Sequence, residues 1–265
     1  MISDAIDKVK EIVLRLGTGT KFLFFDFDGT LSVFAGNPDE AIPVLGAVES
    51  LENAAKLESC FVSIISGRNI SDLTRIFPAD KFILCGNHGA QIQGKGIDYM
   101  HKSNTAEIRE VNRIISMASA TLGWIPGFLL EKKEFSAVAH YRKTDDKSAA
   151  EIEGWFEIIA KQDLKSVRIR KGKKVFEILP NSSAGKADAV MFIADRLQGK
   201  TEKPGILFAG DDTTDEEAFA DLGGKAVKIF VGKNGHALAD YSLMGPENVV
   251  EFINKLIEAL RSQNV

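Results

Sequence analysis

Two short acidic segments of this 265-residue chain contain the residue types that could hold a hard metal ion. They are Asp26 and Asp28, after the apolar run 22–25, and Asp211, Asp212 and Asp215, after the apolar run 206–209. Short continuous apolar runs are typical of strands buried on both faces, and such sheets bind ligands at the carboxyl ends of their strands. Carboxylates gathered there repel one another unless a cation neutralises them. Oxygen ligands without a neighbouring His or Cys favour Mg²⁺.

Each acidic residue also has a plain structural explanation. Asp28-Gly29 is a common turn pair. Asp215 and Glu216 suit the first turn of a helix, where the helix dipole favours negative charge. The segments taken singly therefore leave both explanations open, and it is their combination that favours a metal site.

A hydroxyl and a cation stand at the starts of two further predicted helices. Ser66 follows the apolar run 61–65 and precedes Gly67, so it could offer a hydroxyl and backbone N–H groups to a phosphate oxygen, or cap the next helix. Lys186 opens a helix, where its charge opposes the dipole and calls for an anionic partner. Its segment is not a Walker loop, because Pro180 stands where glycine is required.

The elements that must position these residues alternate along most of the chain. We predict strands at 22–25, 61–65, 82–85, 206–209 and 226–231, and helices at 2–16, 42–57, 71–77, 185–197, 215–222 and 248–260. Alternation of buried strands and amphipathic helices predicts an α/β fold with a parallel sheet flanked by helices.

The middle of the chain follows a different pattern. Residues 135–142 alternate between apolar and polar side chains, as in a half-solvated antiparallel strand. Two helical patterns and two further short alternating runs accompany it, at 108–122, 152–159, 166–170 and 174–179. We therefore predict a small α+β domain, residues 105–179, inserted into a discontinuous core formed by 1–104 and 180–265.

Composition excludes several classes of protein. With 45% hydrophobic and 26% charged residues, the chain is neither disordered nor fibrous. Its net charge of −4 gives no general attraction to nucleic acid or anionic lipid. Cys60 and Cys85 lie in apolar runs and are expected to be buried thiols. No run approaches the roughly 18 apolar residues of a membrane span and the first 15 residues are charged, so we expect a cytoplasmic protein.

Four motifs, taken in order, resemble those of the haloacid dehalogenase superfamily of phosphoryl-transfer enzymes. Asp26-Phe27-Asp28-Gly29-Thr30 is similar to its first motif, Ser66 to its second and Lys186 to its third. Gly210-Asp211-Asp212 with Asp215 is similar to its fourth. The resemblance covers essentially the whole chain and implies the superfamily's Rossmann-like core, with the insert as a small α+β cap.

The resemblance implies a role for each matched residue. Asp26 would be the nucleophile that forms an aspartyl phosphate, and Asp28 the general acid and then the general base. Asp26, the Asp28 carbonyl and Asp211 would bind Mg²⁺, with Asp215 as an additional ligand or a residue that orients Lys186. Ser66 and Lys186 would hold the transferring phosphoryl group.

Further segments resemble the trehalose-6-phosphate phosphatase family more narrowly. They are Ile65-Ser66-Gly67-Arg68, Gly86-Asn87-His88-Gly89-Ala90, Glu131-Lys132-Lys133 with His140-Tyr141-Arg142, and Gly172-Lys173 with Glu177. The resemblance implies that the substrate is bound by Gly67, Arg68, Asn87, His88, Glu131, Lys133, His140, Arg142, Lys173 and Glu177. One departure is Leu179-Pro180, because the family usually has an Arg before this Pro.

The expected partner is therefore a small-molecule sugar phosphate, trehalose 6-phosphate, and neither nucleic acid nor a membrane. A phosphatase or phosphomutase that acts on another sugar phosphate is the alternative within enzymes, and a sugar-phosphate sensor without turnover is the alternative outside them. We expect a monomer, and the sequence leaves a synthase partner open.

Overall fold

The computed structural model describes residues 2–33, 41–100, 105–133, 136–162, 164–182, 185–198, 203–233 and 236–263. The chain divides into two compact units. The first comprises Met1–Met100 and Ala184–Val265, and the second comprises His101–Ser183. The boundaries that the sequence predicts for the insert, 105 and 179, fall inside the second unit.

The elements are numbered along the chain. The strands are β1 Ser3–Asp4, β2 Lys21–Asp26, β3 Cys60–Ile65, β4 Ile83–Gly86, β5 Gln91–Gly94, β6 Ile97–Met100, β7 Leu129–Lys132, β8 Ala137–His140, β9 Val167–Gly172, β10 Val175–Pro180, β11 Gly205–Gly210, β12 Val227–Val231 and β13 Tyr241–Leu243. The helices are α1 Val9–Leu16, α2 Ala47–Ala55, α3 Ile70–Thr74, α4 Thr105–Leu122, α5 Asp146–Ala160, α6 Lys186–Leu197, α7 Thr213–Leu222 and α8 Pro246–Gln263.

The first unit is built on a nine-stranded sheet in the order β1-β13-β12-β11-β2-β3-β4-β5-β6. The strands from β1 to β4 in this order pair in parallel, and β5 and β6 add an antiparallel edge. The predicted α/β class with a mainly parallel sheet is confirmed. Since β11, β2 and β3 are neighbours, the carboxyl ends of the strands that precede Asp211, Asp26 and Ser66 meet at one edge of the sheet.

The central strand β2 is buried on both faces, as its apolar run predicts. Leu23 and Phe25 pack in one core cluster with residues of α1, α2 and α8. Phe22 and Phe24 pack on the opposite face with residues of α6 and α7. All four side chains are fully buried, so the strand that ends in Asp26 is held rigidly.

Several predicted elements begin or end elsewhere in the structure. The first helix was predicted from residue 2, but Ser3–Asp4 instead pairs with Tyr241–Ser242 at the edge of the sheet. The helix predicted at 42–57 begins at Ala47, after Gly46 with φ of 82°. The sequence patterns also missed the antiparallel hairpin formed by β5 and β6. Cys60 and Cys85 are buried free thiols. None of the helices in the described part of the chain has the length and apolarity to cross a bilayer.

The second unit is an α+β arrangement around a four-stranded antiparallel sheet, in the order β7-β8-β10-β9. One core cluster joins this sheet to α4 and α5 through Ala137, Ala139, Phe176 and Ile178. The middle of the alternating pattern predicted for 135–142 forms β8, Ala137–His140, and residue 135 lies outside the described residues. The sequence missed β7, because Leu129–Lys132 is short and half polar.

A buried carboxylate ties the two ends of the second unit together. Glu107, in the first turn of α4, is 5% exposed. Its Oε1 accepts a hydrogen bond from the Ser182 backbone N–H at 2.9 Å, and its Oε2 accepts one from the Ser182 hydroxyl at 2.6 Å. Hydrogen bonds to an ionised group contribute about 1.5–3 kcal/mol. This pair therefore fixes the chain after β10 against the start of α4.

Replacing Glu107 by alanine is expected to lower the free energy of unfolding of the second unit by about 2–3 kcal/mol, because two hydrogen bonds to a buried carboxylate are lost. Trp124 and Trp155 are the two tryptophans of the chain and both lie in this unit, so urea unfolding followed by their fluorescence reports on it. Glu110→Ala, one turn along α4, removes an exposed pair with Arg113 and should cost less than about 1 kcal/mol. Equal losses in the two variants would contradict the role given to Glu107.

Candidate active site

The site is centred on Lys186, which is the first residue of α6. Its side chain is 2% exposed, and its Nζ donates to Oδ1 of Asp26 and to Oδ1 of Asp215, both at 2.7 Å. A third carboxylate, that of Asp212, lies 4.0 Å away. These are the anionic partners that a cation in a first helical turn requires. They raise the pKa of Lys186 well above its usual value against the opposing effect of burial, so the ammonium group stays charged.

Three carboxylates form a cluster next to Lys186. Asp26, Asp211 and Asp215 each present an oxygen within 4.8 Å of the others. Burial raises the pKa of Asp26 well above its usual range; Lys186 opposes this shift and the neighbouring carboxylates add to it. Burial and the carboxylates of Asp215 and Asp212 raise the pKa of Asp211 to about 8. Burial raises the pKa of Asp215 to about 7. One lysine thus offsets only part of the negative charge that this cluster carries when it is ionised.

Asp215 takes part in two sets of contacts. Its Oδ1 accepts from Lys186, and its Oδ2 accepts the backbone N–H groups of Asp211 and Asp212 at 3.0 and 3.1 Å. Asp215 is also the third residue of α7, where it completes a capping box with Asp212. The two explanations that the sequence left open for Asp215, a site residue and a first-turn acid, therefore both hold.

Asp212 is mainly a helix cap. Its Oδ1 accepts from the backbone N–H groups of Thr214 and Asp215 and from the Thr214 hydroxyl. Although burial acts to raise the pKa of Asp212, Lys186 and these hydrogen bonds lower it below its usual value. Its side chain is 46% exposed and it does not belong to the three-carboxylate cluster.

Two glycines leave room for the carboxylates. A Cβ at Gly29, whose φ is +95°, would overlap the carboxylate of Asp211. A Cβ at Gly210 would overlap the carboxylate of Asp215. Thr30, which is fully buried, donates from its hydroxyl to Oδ1 of Asp211 at 3.1 Å. Sequence reasoning gave Thr30 no role, and its place two residues after Asp28 in the first motif was the available signal.

The carboxylate of Asp28 points to a different set of partners. Arg68 donates from Nε to Oδ2 at 2.8 Å and from Nη2 to Oδ1 at 2.6 Å. The Ser66 hydroxyl lies 3.4 Å from Oδ2, and the Arg68 backbone N–H donates to that hydroxyl at 3.2 Å. The two aspartates of the first motif therefore have separate electrostatic partners, Lys186 for Asp26 and Arg68 for Asp28.

Asn87 and His88 form a turn that lies against the loop of Ser66 and Arg68. Both have left-handed backbone conformations, with φ of 50° and 57°, which non-glycine residues adopt at a cost of about 1–3 kcal/mol. The Asn87 backbone N–H donates to the Arg68 carbonyl at 2.7 Å, and that of His88 to the Ser66 carbonyl at 2.9 Å. A Cβ at Gly67 would lie 2.8 Å from the His88 ring, so this ring covers Gly67.

The remaining predicted site residues lie in the second unit. Glu131 and His140, on neighbouring strands, are joined by a 2.9 Å contact between Oε2 and Nε2. The hydrogen bond from His140, with a further contribution from Lys133, lowers the pKa of Glu131 against the effect of burial. Arg142 donates to the carbonyl of Lys173 at 3.4 Å. Glu177 pairs with Arg170 at 3.4 Å.

Strand register places three of these side chains on one face of the four-stranded sheet. Glu131 and Glu177 both pair with Val138, and His140 is two residues further along β8. The opposite face carries Ala137, Ala139 and Phe176, which pack on the helices. The charged residues thus share the face that does not contribute to that core, as the alternating pattern predicts.

The carboxyl edge of this mainly parallel sheet brings together Asp26, Ser66, Lys186 and Asp211. This is the arrangement of the haloacid dehalogenase superfamily. The model of the family described as "Trehalose-phosphatase" matches residues 24–243. The chain belongs to this trehalose-phosphatase family.

Curated relatives agree with this assignment, and solved structures share the fold. A trehalose-phosphate phosphatase of Mycobacterium marinum is 31% identical over 244 residues, and one of Mycobacterium ulcerans is 30% identical. Each alignment covers 90% of this chain and 62% of the relative, so the chain spans less than two thirds of their length. The C-terminal domain of the Candida albicans trehalose-6-phosphate phosphatase has a TM-score of 0.81 at 20% identity, with 97% of this chain and 98% of that chain covered. An Aspergillus fumigatus trehalose-6-phosphate phosphatase has a TM-score of 0.70 at 23% identity, with 98% and 99% covered. At these identities the two structures show the shared fold.

Proposed function

We propose that this protein is a Mg²⁺-dependent phosphatase that hydrolyses trehalose 6-phosphate to trehalose and inorganic phosphate through an aspartyl-phosphate intermediate. The observation that carries the proposal is the buried Lys186, which bridges Asp26 and Asp215 within a three-carboxylate cluster. A nucleophilic carboxylate, a fixed cation and a metal-binding acid group are the parts that phosphoryl transfer to an aspartate requires. Membership of the trehalose-phosphatase family supports the choice of substrate.

The residues of the cluster fit a hard divalent cation. All three side chains offer carboxylate oxygens within 4.8 Å of one another, and the glycines at 29 and 210 leave space for two of them. Oxygen ligands of this kind suit Mg²⁺ better than softer metals. Asp26, Asp211 and the carbonyl of Asp28 would hold the ion, with Asp215 beside them. When bound, Mg²⁺ would offset the negative charge of the transferring phosphoryl group.

In the first half-reaction an oxygen of Asp26 attacks phosphorus and the bond from phosphorus to the sugar oxygen breaks. Asp28 gives a proton to that oxygen, so trehalose leaves as an alcohol and the phosphoryl group stays on Asp26. Lys186 keeps its charge next to Asp26 and reduces the repulsion between the carboxylate and the phosphate. The Ser66 hydroxyl, 3.4 Å from the Asp28 carboxylate, is placed to hold a phosphate oxygen.

In the second half-reaction Asp28 takes a proton from a water molecule, whose oxygen attacks phosphorus. The bond from phosphorus to Asp26 breaks, which releases inorganic phosphate and restores the Asp26 carboxylate. Asp215 contributes to the reaction by holding other residues, because its two oxygens accept hydrogen bonds from Lys186 and from the backbone of Asp211 and Asp212. We assign it as a positioning residue that stands beside the metal ligands.

Substrate recognition is assigned to two groups of residues. Gly67, Asn87 and His88 lie at the same sheet edge as the catalytic residues, in loops joined by backbone hydrogen bonds. Glu131, Lys133, His140, Arg142, Lys173 and Glu177 lie in the second unit, which we propose is the cap. Charged side chains on a sheet face suit sugar hydroxyls beside a phosphate. We further propose a cytoplasmic location and a monomeric state.

A panel of sugar phosphates tests the proposed reaction. With Mg²⁺ present, we expect phosphate release from trehalose 6-phosphate with a kcat/KM at least about 10²-fold higher than for glucose 6-phosphate, and loss of release when the ion is chelated. Selective release of phosphate from another sugar phosphate would indicate the alternative, a phosphatase with a different substrate. An isomerised sugar phosphate without release would indicate a mutase, and tight binding without turnover would indicate a sensor.

A further inference from the structure

The Asp28 carboxylate is held by a two-pronged contact from one arginine. Nε and Nη2 of Arg68 reach Oδ2 and Oδ1 of Asp28 at 2.8 and 2.6 Å, so each carboxylate oxygen faces its own N–H donor. A bidentate contact of this kind fixes the plane of the carboxylate as well as its distance. The Arg68 side chain is 11% exposed, whereas that of Asp28 is 36% exposed. The less accessible partner is therefore the arginine.

The guanidinium group of Arg68 is itself held in place. Its carbon lies 5.0 Å from the ring centre of Phe27, a fully buried side chain. The Arg68 backbone donates to the Ser66 hydroxyl and accepts from the Asn87 N–H. Gly86 permits this close approach, because a Cβ there would lie 2.9 Å from the Arg68 carbonyl. The backbone hydrogen bonds of Arg68, the contact of its guanidinium group with the Phe27 ring and its two hydrogen bonds to Asp28 fix the direction of this side chain.

We propose that Arg68 is a positioning residue for Asp28, which orients the carboxyl group that exchanges the proton in the two half-reactions. This inference rests on the proposed phosphatase function. A general acid must stand within about 2.6–3.2 Å of the oxygen that it protonates. An aspartate side chain that is 36% exposed, as that of Asp28 is, samples several rotamers unless a partner holds it. The forked guanidinium selects one of them. Since two of its donors face Asp28, Arg68 acts on the reaction through that residue.

Choice of leaving group separates positioning from direct binding of phosphate. A sugar alkoxide needs a proton in order to leave, whereas p-nitrophenolate leaves without one. The kcat/KM value reports the steps up to formation of the aspartyl phosphate, so it isolates the half-reaction in which Asp28 is an acid. Loss of Arg68 should therefore affect trehalose 6-phosphate much more than p-nitrophenyl phosphate. A residue that binds the phosphoryl group would affect both substrates alike.

The test is a set of kcat/KM measurements on Arg68→Ala, Asp28→Ala and the double variant, with both substrates and Mg²⁺. For trehalose 6-phosphate we expect Arg68→Ala to lose about 10²-fold, which is within the range of a general acid, and less than about threefold for p-nitrophenyl phosphate. In the Asp28→Ala background, loss of Arg68 should change kcat/KM by less than about threefold, because residues that act as a unit are not additive. Arg68→Lys keeps the positive charge but cannot make the two-pronged contact. Its kcat/KM for trehalose 6-phosphate should exceed that of Arg68→Ala by less than about tenfold.

Arg75→Ala is the matched control, since this arginine lies in the same stretch, is 78% exposed and pairs only loosely with Asp72 at 3.4 Å. It should leave both kcat/KM values unchanged. Equal losses for the two substrates, additive with Asp28→Ala, would overturn the positioning role and assign Arg68 to phosphate binding. If Arg68→Ala does not fold, Arg68→Lys decides by the same comparison of substrates. A parent protein without phosphate release from trehalose 6-phosphate would instead refute the proposed function, and this inference with it.

Discussion

Replacing Asp26 by asparagine is expected to abolish phosphate release, with a loss of more than about 10³-fold in kcat for trehalose 6-phosphate and for p-nitrophenyl phosphate alike. An amide of nearly the same shape cannot form the acyl phosphate, and the nature of the leaving group does not change this requirement. We expect the fold to persist, because Lys186 keeps its contact with Asp215 at 2.7 Å. Circular dichroism and thermal unfolding check the fold independently of activity.

A direct readout of the intermediate strengthens this prediction. After a short incubation with substrate and an acid quench, mass spectrometry of the parent protein should find a phosphoryl group on the peptide that contains Asp26, and none in Asp26→Asn. Asp98→Asn is the control, since Asp98 is an exposed acid on the edge strand β6 and should leave activity intact. Phosphate release by Asp26→Asn above about a tenth of the parent rate would show that Asp26 is not the nucleophile.

The arrangement of the acidic residues at one sheet edge could be predicted because it follows from local pattern and one rule of topology. The runs ending at Phe25 and Ala209 are apolar throughout, as strands with two covered faces must be. Parallel strands have their carboxyl ends on the same edge, so the acids that follow them lie along that edge. Whether they meet depends on the strand order, which the local pattern does not show. The structure adds that β11 and β2 are direct neighbours.

Side-chain partners could not be predicted in the same way, because they depend on contacts between distant parts of the chain. Lys186 is separated by 160 residues from Asp26, and only the fold shows which anions it meets. Arg68 was assigned to the substrate on resemblance alone, whereas its guanidinium contacts Asp28. The short strands β1 and β7 were missed since they pair through the backbone and carry little apolar pattern.

The second large effect concerns Lys186. Lys186→Met keeps the length of the side chain and removes its charge, which leaves Asp26 and Asp215 buried without their shared cation. Loss of one partner from a buried ion pair costs about 3–5 kcal/mol. We expect the free energy of unfolding of the first unit to fall by this amount, and kcat to fall by about 10²–10³-fold because a fixed positive charge beside the nucleophile is lost.

A control variant and a double variant test this prediction. Lys255→Met removes an exposed lysine that pairs with Glu251 on α8, and it should cost less than about 1 kcal/mol and leave kcat unchanged. In the double variant Lys186→Met with Asp215→Asn, one uncompensated carboxylate is also removed, so part of the lost stability should return while activity stays low. Fluorescence of the two tryptophans, both in the second unit, should hardly change in any of these variants. A double variant that is less stable than Lys186→Met would contradict this account, because the hydrogen bonds of Asp215 to the backbone of Asp211 and Asp212, rather than uncompensated charge, would then set the cost.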